Sequence, residues 1–228
     1  MNSDEYICVR AEKDIKIYSR VEERVVSFKM QVDRVAIPIR NLCTLFVESD
    51  LYHHWFPFTK LSKRLGMFKH SSQVAYLKLW MPPPFSNRYS NMWGAGMNRL
   101  HMPQRRIVVV SKSIDPNKET ELLGIPLLHE GGYLMRTYYY SMEIKVLNRN
   151  EVSLTGLAKV DPRIKAIPFS LQKWGAKKFI EYLFKKMLRF SKSFEGTVYE
   201  AGLKNCQNEE FYNWLDGQLE QTYRSNGL

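Results

Sequence analysis

Residues 161–198 read DPRIKAIPFSLQKWGAKKFIEYLFKKMLRFSKSFEGTV. The segment opens as a proline-bounded turn, DPRIKAIP at 161–168, and its spacing predicts a long helix over about Phe169 to Val198. The apolar positions Ala176, Phe179, Ile180, Leu183, Met187, Phe190, Phe194 and Val198 fall three or four apart, which places them on one helical stripe. Between them lie Lys173, Lys177, Lys178, Lys185, Lys186, Arg189 and Lys192, and Glu181 is the single acid from Lys173 to Phe194. A bulky apolar stripe needs an apolar surface to cover. So dense a cationic back needs water or an anionic partner. Two readings are open: a terminal helix packed on a core with solvated lysines behind it, or a lid over an apolar space with a membrane-seeking outside.

Upstream of this helix the pattern changes from a period of 3.6 to a period of two. Strands are predicted at Asp14–Arg20, Val25–Ala36, Lys63–His70, Gln73–Met81, Arg88–Leu100, Arg105–Asp115, Tyr133–Leu147 and Glu151–Val160. Val21–Arg24 is a turn. Pro38 suits the first turn of a short helix carrying Leu42, Leu45 and Phe46, and Asp50–Trp55 forms a second short helix or turn. Pro82, Pro83 and Pro84 must be loop, and the glycines and prolines of 115–132 mark a long excursion between strands. A last helix is expected near Glu209–Tyr223. Strands joined by short turns pair antiparallel, since parallel pairs need crossover helices. The expected class is therefore α+β: a curved antiparallel sheet of about seven to eight strands around a long C-terminal helix, enclosing an apolar cavity. Residues 1–205 form the domain and 206–228 a helical extension. Candidate cavity residues are Trp80, Phe85, Met92, Trp93, Met97, Tyr138, Tyr140 and Met142, although each taken alone reads first as ordinary core.

Composition limits the partners. A hydrophobic share of 44% suffices for a core, and 34 Lys and Arg against 23 Asp and Glu leave a net charge of +11. That balance favours polyanions, either nucleic acid or an anionic lipid surface. The lysines gather on one helix, and no RNP-like motif, helix-turn-helix or zinc finger is present, which speaks against nucleic acid. Cys8, Cys43 and Cys206 stand at unrelated spacings, which fits a reducing compartment and no zinc site. The polar start MNSDEYICVRAEKD is not a secretory signal, and no apolar run approaches the ~18 residues of a membrane span. A soluble, cytoplasmic protein is expected, transiently at membrane surfaces.

Catalytic signals are thin. His53 and His54 lie near Glu48 and Asp50, but no HxxxH or HExxH spacing exists. Ser111, Ser113 and Cys43 have no nucleophile elbow or neighbouring base, and neither a P-loop nor GxGxxG occurs. His101 and Glu143 are the mid-chain candidates for chemistry inside a cavity. No catalytic residue, metal or cofactor is assigned.

In their order along the chain, these segments resemble the StAR-related lipid transfer (START) domain of the helix-grip superfamily. DIKIYSR at 14–20 is similar to the family's opening strand, LYHHW at 51–55 to its helix end, and PFSNRYSNMW at 84–93 to its arginine-bearing strand, with Arg88 in the arginine position. IVVVSKSID at 107–115 and YLMRTYYYSMEIKV at 133–146, with Arg136, resemble the strands that follow, and DPRIKAIP precedes the lysine-rich helix as in the family. The resemblance spans nearly the whole chain to about residue 200. It departs at Tyr89, where the family has an acid, at Gly94, where sterol-binding relatives carry a cavity arginine, and at Ile164-Lys165-Ala166, where the family has a glycine.

The resemblance implies a helix-grip fold and a protein that binds one lipid and transfers it between intracellular membranes. The lipid is a phospholipid or another amphiphile rather than a sterol. Expected lipid contacts are Trp93, Met97, Tyr138, Tyr140, Phe179, Leu183 and Met187, with Arg88 or Arg136 at a head group or in a salt bridge within the sheet. Trp174 and Trp55, with Lys177, Lys178 and Lys185, are expected to dock a monomer on an anionic membrane surface. The alternatives are a cavity enzyme of the wider superfamily, cyclase- or hydrolase-like, a basic nucleic-acid-binding module, and a module that senses lipid without moving it.

Overall fold

Alternation of apolar and polar residues produces the strands it predicts. In β2 (Ile15–Glu22), Ile17, Ser19 and Val21 turn inward while Lys16 is exposed. The chain is seen in a computed structural model that describes residues 6–22, 25–68, 71–164, 168–204 and 208–227. Part of the turn expected at Val21–Arg24, the end of the strand expected to reach His70, Lys165–Ile167 of the DPRIKAIP turn, and Cys206 with the 205/206 boundary lie outside the described residues.

The remaining elements are β1 (Ile7–Glu12), β3 (Val25–Ala36), α1 (Ile39–Val47), α2 (Tyr52–Trp55), β4 (Thr59–Phe68), β5 (Ser72–Leu79), β6 (Arg88–Arg99) and β7 (Arg106–Ile114). They continue as β8 (Glu121–Leu122), β9 (Ile125–Pro126), β10 (Tyr133–Leu134), β11 (Arg136–Asn148), β12 (Glu151–Asp161), α3 (Phe169–Lys192), α4 (Val198–Lys204) and α5 (Glu209–Asn226). The main sheet runs β1-β2-β3-β12-β11-β7-β6-β5-β4, antiparallel throughout, and β10 adds a short parallel pair with β6. All eight expected strands are present. The strand expected at Tyr133–Leu147 is divided into β10 and β11, and sequence reasoning missed β1, a six-residue edge strand, and the short pair β8–β9 within the 115–132 excursion.

The concave side of the sheet carries the core. Gly156 of β12 stands between its register partners Met142 of β11 and Met30 of β3. A Cβ there would meet both methionine methyls at 3.2 and 3.3 Å, so the missing side chain is what lets the two thioethers close over the strand. On the convex side the 115–132 excursion lies over β4–β6. Asn91, fully buried, exchanges hydrogen bonds with the backbone of Leu128, at 2.8 Å as donor and 3.2 Å as acceptor. Lys78 pairs with Glu130 at 3.1 Å. Tyr76, Tyr89 and Leu134 form a small second core beneath this cover.

Helix α3 crosses the concave side against α1, α2 and β1–β3. Ile180, Phe184 and Met187 are its buried stripe, with Phe179 and Leu183 half-buried beside it. The helix ends at Lys192, short of the expected Val198. Ser193 turns extended, and Gly196 adopts φ +69°, a left-handed turn that glycine enters without Cβ strain. Phe194 swings inward and stacks on Tyr199 at 5.0 Å, while Val198 starts α4 and is exposed.

Helix α5 packs into the same core. Phe211, Leu215, Leu219 and Tyr223, four residues apart, make one buried face together with Tyr212. Its flanks are held by Arg40–Asp216 at 2.9 Å, by Asn98–Gln218 at 2.9 Å, and by Arg149, which pairs with Glu220 and lies 4.6 Å over the Tyr223 ring.

Candidate functional site: an apolar cavity between sheet and helix

Sheet and helices do not close on each other completely. They leave a cavity of about 270 Å³. One wall is α3, through Phe179, Ile180, Leu183, Phe184 and Met187. The opposite wall is the concave sheet, where Ala75, Leu77, Met92, Val109, Met142 and Ala158 face inward. Phe211, Trp214 and Leu215 of α5 complete the lining.

Helix α5 is anchored by a buried polar cluster. Glu48, 7% exposed, accepts from Arg64 at 3.0 Å, from the Asn208 amide at 2.7 Å and from the Tyr212 hydroxyl at 2.7 Å. Arg64 also donates to the Val47 carbonyl at 2.8 Å and to Gln73 at 3.2 Å, and its backbone N–H reaches Asp50 at 2.7 Å. Gln73 in turn donates to the Phe46 carbonyl at 2.9 Å. Each buried charge thus meets an opposite charge and further hydrogen bonds, the condition for tolerating ions in a protein interior. Sequence reasoning missed this cluster, because its members are scattered from residue 46 to 212.

Beside the lid sits an aromatic group. Phe179 meets Phe56 edge-on at 6.2 Å and stacks on Phe58 at 6.2 Å, and Phe58 lies 6.3 Å from Trp80. Phe58 is 53% exposed and holds φ at +60°. A bulky residue in the left-handed region costs about 1–2 kcal/mol, so the surrounding contacts must hold it there.

Of the residues singled out from sequence, Met92, Met97, Tyr140, Met142, Phe179, Leu183 and Met187 line the cavity, with Met97 partly exposed at its edge. Four others are corrected in position. Trp93 follows Met92 and therefore points to the other face, where with its register partner Lys112 and with Arg136 it lines a separate convex-side cleft of about 390 Å³. Tyr138 sits at a bulge between Thr137 and Tyr139, so Thr137 and Tyr140 face the cavity while Tyr138 is exposed with Arg136 4.7 Å over its ring. Arg88 is 4% exposed and does not line the cavity. It donates to the carbonyls of Pro162 at 2.7 Å, Arg163 at 3.1 Å and Ser86, and lies 5.0 Å over the Tyr133 ring. Its work is to tie β6 to the turn that launches α3. Replacing Arg88 with Met is expected to destabilise the fold by about 2–3 kcal/mol. This would be read as a melting midpoint lower by roughly 4–12 °C.

Two tryptophans exchange their expected places. Trp55, expected at a membrane, is buried and lines the cavity, and Trp80, expected in the cavity, is exposed. Phe85 also lies outside the lining. On α3, Trp174 is 59% exposed, and Lys177, Lys178 and Lys185 are exposed, with Lys185 paired to Glu181 at 2.9 Å. The side chain of Lys173 lies outside the described residues.

The residues weighed for chemistry are elsewhere. His101 is exposed after β6, and Glu143 pairs with Arg106 at 2.5 Å; neither lines the cavity. The rings of His53 and His54 stand 4.0 Å apart on α2, with His53 Nδ1 3.0 Å from the Ser62 hydroxyl. Among the described residues no three His, Cys, Asp or Glu side chains gather as a metal site. Cys43 lines the cavity, but burial pushes its thiol up to about 12, so it holds its proton at neutral pH. No described helix is long and apolar enough to cross a membrane.

No protein-family model and no curated protein matches the sequence. Solved structures do. Human STARD10 superposes with a TM-score of 0.68 at 14% identity, over 94% of this chain and 81% of that one. A STAR-related lipid transfer protein fragment from Xanthomonas axonopodis gives 0.64 at 18% identity, over 83% of this chain and all of that one. Human StAR-related lipid transfer protein 5 gives 0.65 at 8% identity, over 85% and 89%. The chain adopts the START fold, the helix-grip architecture expected from its motifs.

Proposed function

We propose that this protein is a lipid carrier, which takes one amphiphilic lipid into the cavity beneath α3 and moves it between membranes. The observation that carries the reading is the cavity itself: an apolar hollow between sheet and lid, in a fold shared with lipid transfer domains. Exposing a hydrocarbon tail to water costs ~0.8 kcal/mol per methylene, so a tail travels only inside such a container. Its deciding test is transfer of a labelled lipid from donor to acceptor vesicles, with native mass spectrometry of the purified protein identifying the occupant. Transfer at the uncatalysed rate would end the carrier reading, and retention without transfer would make the protein a sensor.

Docking is assigned to α3. Trp174 and Leu171, 59% and 51% exposed, offer apolar anchors beside Lys177, Lys178 and Lys185. Each Lys near an anionic surface contributes about 1 kcal/mol, enough for reversible attachment when several act together. Changing the three lysines together to Glu is expected to lower partition onto anionic vesicles by on the order of a hundredfold, with the melting midpoint unchanged. Equal sedimentation of parent and variant with such vesicles would remove α3 from the docking surface. The enzyme alternative finds little support, because the cavity lining contains no carboxylate or imidazole among the described residues.

A further inference from the structure

The chemistry of the lining narrows the ligand, and this step rests on the carrier reading. Among the described residues the cavity is lined without a single Lys, Arg, His, Asp or Glu. A phosphate or ammonium head group brought inside would lose its water and meet no opposite charge, which is strongly unfavourable.

The cavity is nevertheless not purely apolar. Gln73, Gly94, Ser111, Tyr140, Ala158 and Phe28 are successive register partners across β5, β6, β7, β11, β12 and β3, and all six line the cavity as one transverse row. Gln73 is committed to the wall, since its amide oxygen accepts from Ser49 and Arg64 and its amide nitrogen donates to Phe46. The hydroxyls of Ser111 and Tyr140, direct cross-strand neighbours, make no hydrogen bond among the described residues. Two residues further along β7, Ser113 is by contrast bonded to the Thr137 backbone in both directions. Two hydroxyls that line one row of a cavity and have no partner among the described residues are available to a ligand as donors and acceptors. Burial raises the Tyr140 pKa, which keeps the phenol protonated and able to donate. Gly94 leaves space beside them, since a Cβ there would stand 3.6 Å from that of Ser111. At about 270 Å³ the cavity lies near the lower end of small-molecule sites, ~300–1,000 Å³, and suits one slender hydrocarbon body.

We propose that the ligand is an uncharged lipid whose hydroxyl or carbonyl group is received inside the cavity by Ser111 and Tyr140, while lipids with charged head groups are rejected. The test is competitive loading. The full chain is incubated with vesicles that contain equal amounts of a monoacylglycerol, a long-chain alcohol, phosphatidylcholine and phosphatidic acid, then re-isolated for native mass spectrometry. The uncharged lipids are expected to be retained about tenfold or more over both phospholipids, following the desolvation of the charged heads. Tyr140→Phe and Ser111→Ala are each expected to lower that retention about three- to tenfold at an unchanged melting midpoint, the loss of one hydrogen bond. Phospholipid retained as well as the uncharged lipids, or full retention in both variants, overturns the proposal. Retention of no lipid of either kind overturns the carrier reading itself, a result distinct from loss of selectivity.

Discussion

With Leu183 replaced by Trp, the protein is expected to retain no lipid and to transfer none between vesicles, while still unfolding cooperatively near the parent temperature. Leu183 sits one helical turn from both Phe179 and Met187, and all three line the cavity from the lid. It is only half-buried because its end faces open space. A larger side chain forced into a filled core costs about 1–3 kcal/mol. Here the cavity itself receives the indole, so stability is spared and the ligand's volume is lost. Leu183→Ala serves as the companion, widening the space and preserving uptake. Native mass spectrometry reads both variants beside a thermal melt. A full lipid load in the tryptophan variant would mean that the occupant does not lie under α3.

The second large effect falls on stability. Glu48→Ala is expected to cost about 3–5 kcal/mol, because Arg64 then loses its nearest and only buried counter-charge, keeping the half-exposed Asp50 carboxylate at 3.8 Å. For a chain of this size that lowers the melting midpoint by roughly 6–20 °C. Glu48 holds Asn208 and Tyr212 as well as Arg64, so the loss also loosens the attachment of α5. Trp214 and Leu215, which line the cavity from that helix, would follow. Replacing Glu48 and Arg64 together with Met is expected to recover part of the loss, since neither buried charge of the pair then remains, and Asp50 is half-exposed to water. Urea unfolding of the two singles and the double measures this. A Glu48→Ala variant within about 1 kcal/mol of the parent would show that the Glu48 cluster does not anchor α5.

The site residues illustrate how far side-chain type and period can lead. Phe179, Leu183 and Met187 are legible because a 24-residue helix repeats its stripe often enough to fix its phase. Met92 and Trp93 are both suitable cavity residues by chemistry, yet a strand sends neighbours to opposite faces and offers no local reason to choose between them. Strand alternation puts Tyr138 and Tyr140 on one face, and a one-residue bulge breaks that alternation. Trp55 and Trp80 each border a proline-containing turn, so their surroundings in sequence are similar. What separates them is tertiary burial: Trp55 joins the main core and Trp80 stays exposed. Helix α5 carried a readable signal in its four-residue spacing, Phe211, Leu215 and Leu219, but a stripe says that a surface is covered, not which one.

By itself the sequence determined the alternation of strands, the antiparallel order, the one long amphipathic helix and the concentration of positive charge on its back. These are local or periodic properties, written in side-chain type and backbone restriction. Only the tertiary structure decided which strand face meets the cavity, that Arg88 spends its donors on backbone carbonyls, that a Glu48–Arg64 pair anchors α5, and that Ser111 and Tyr140 stand free inside an uncharged hollow. Each of these depends on residues far apart in the chain arriving at one place, and no spacing along a single segment encodes that meeting.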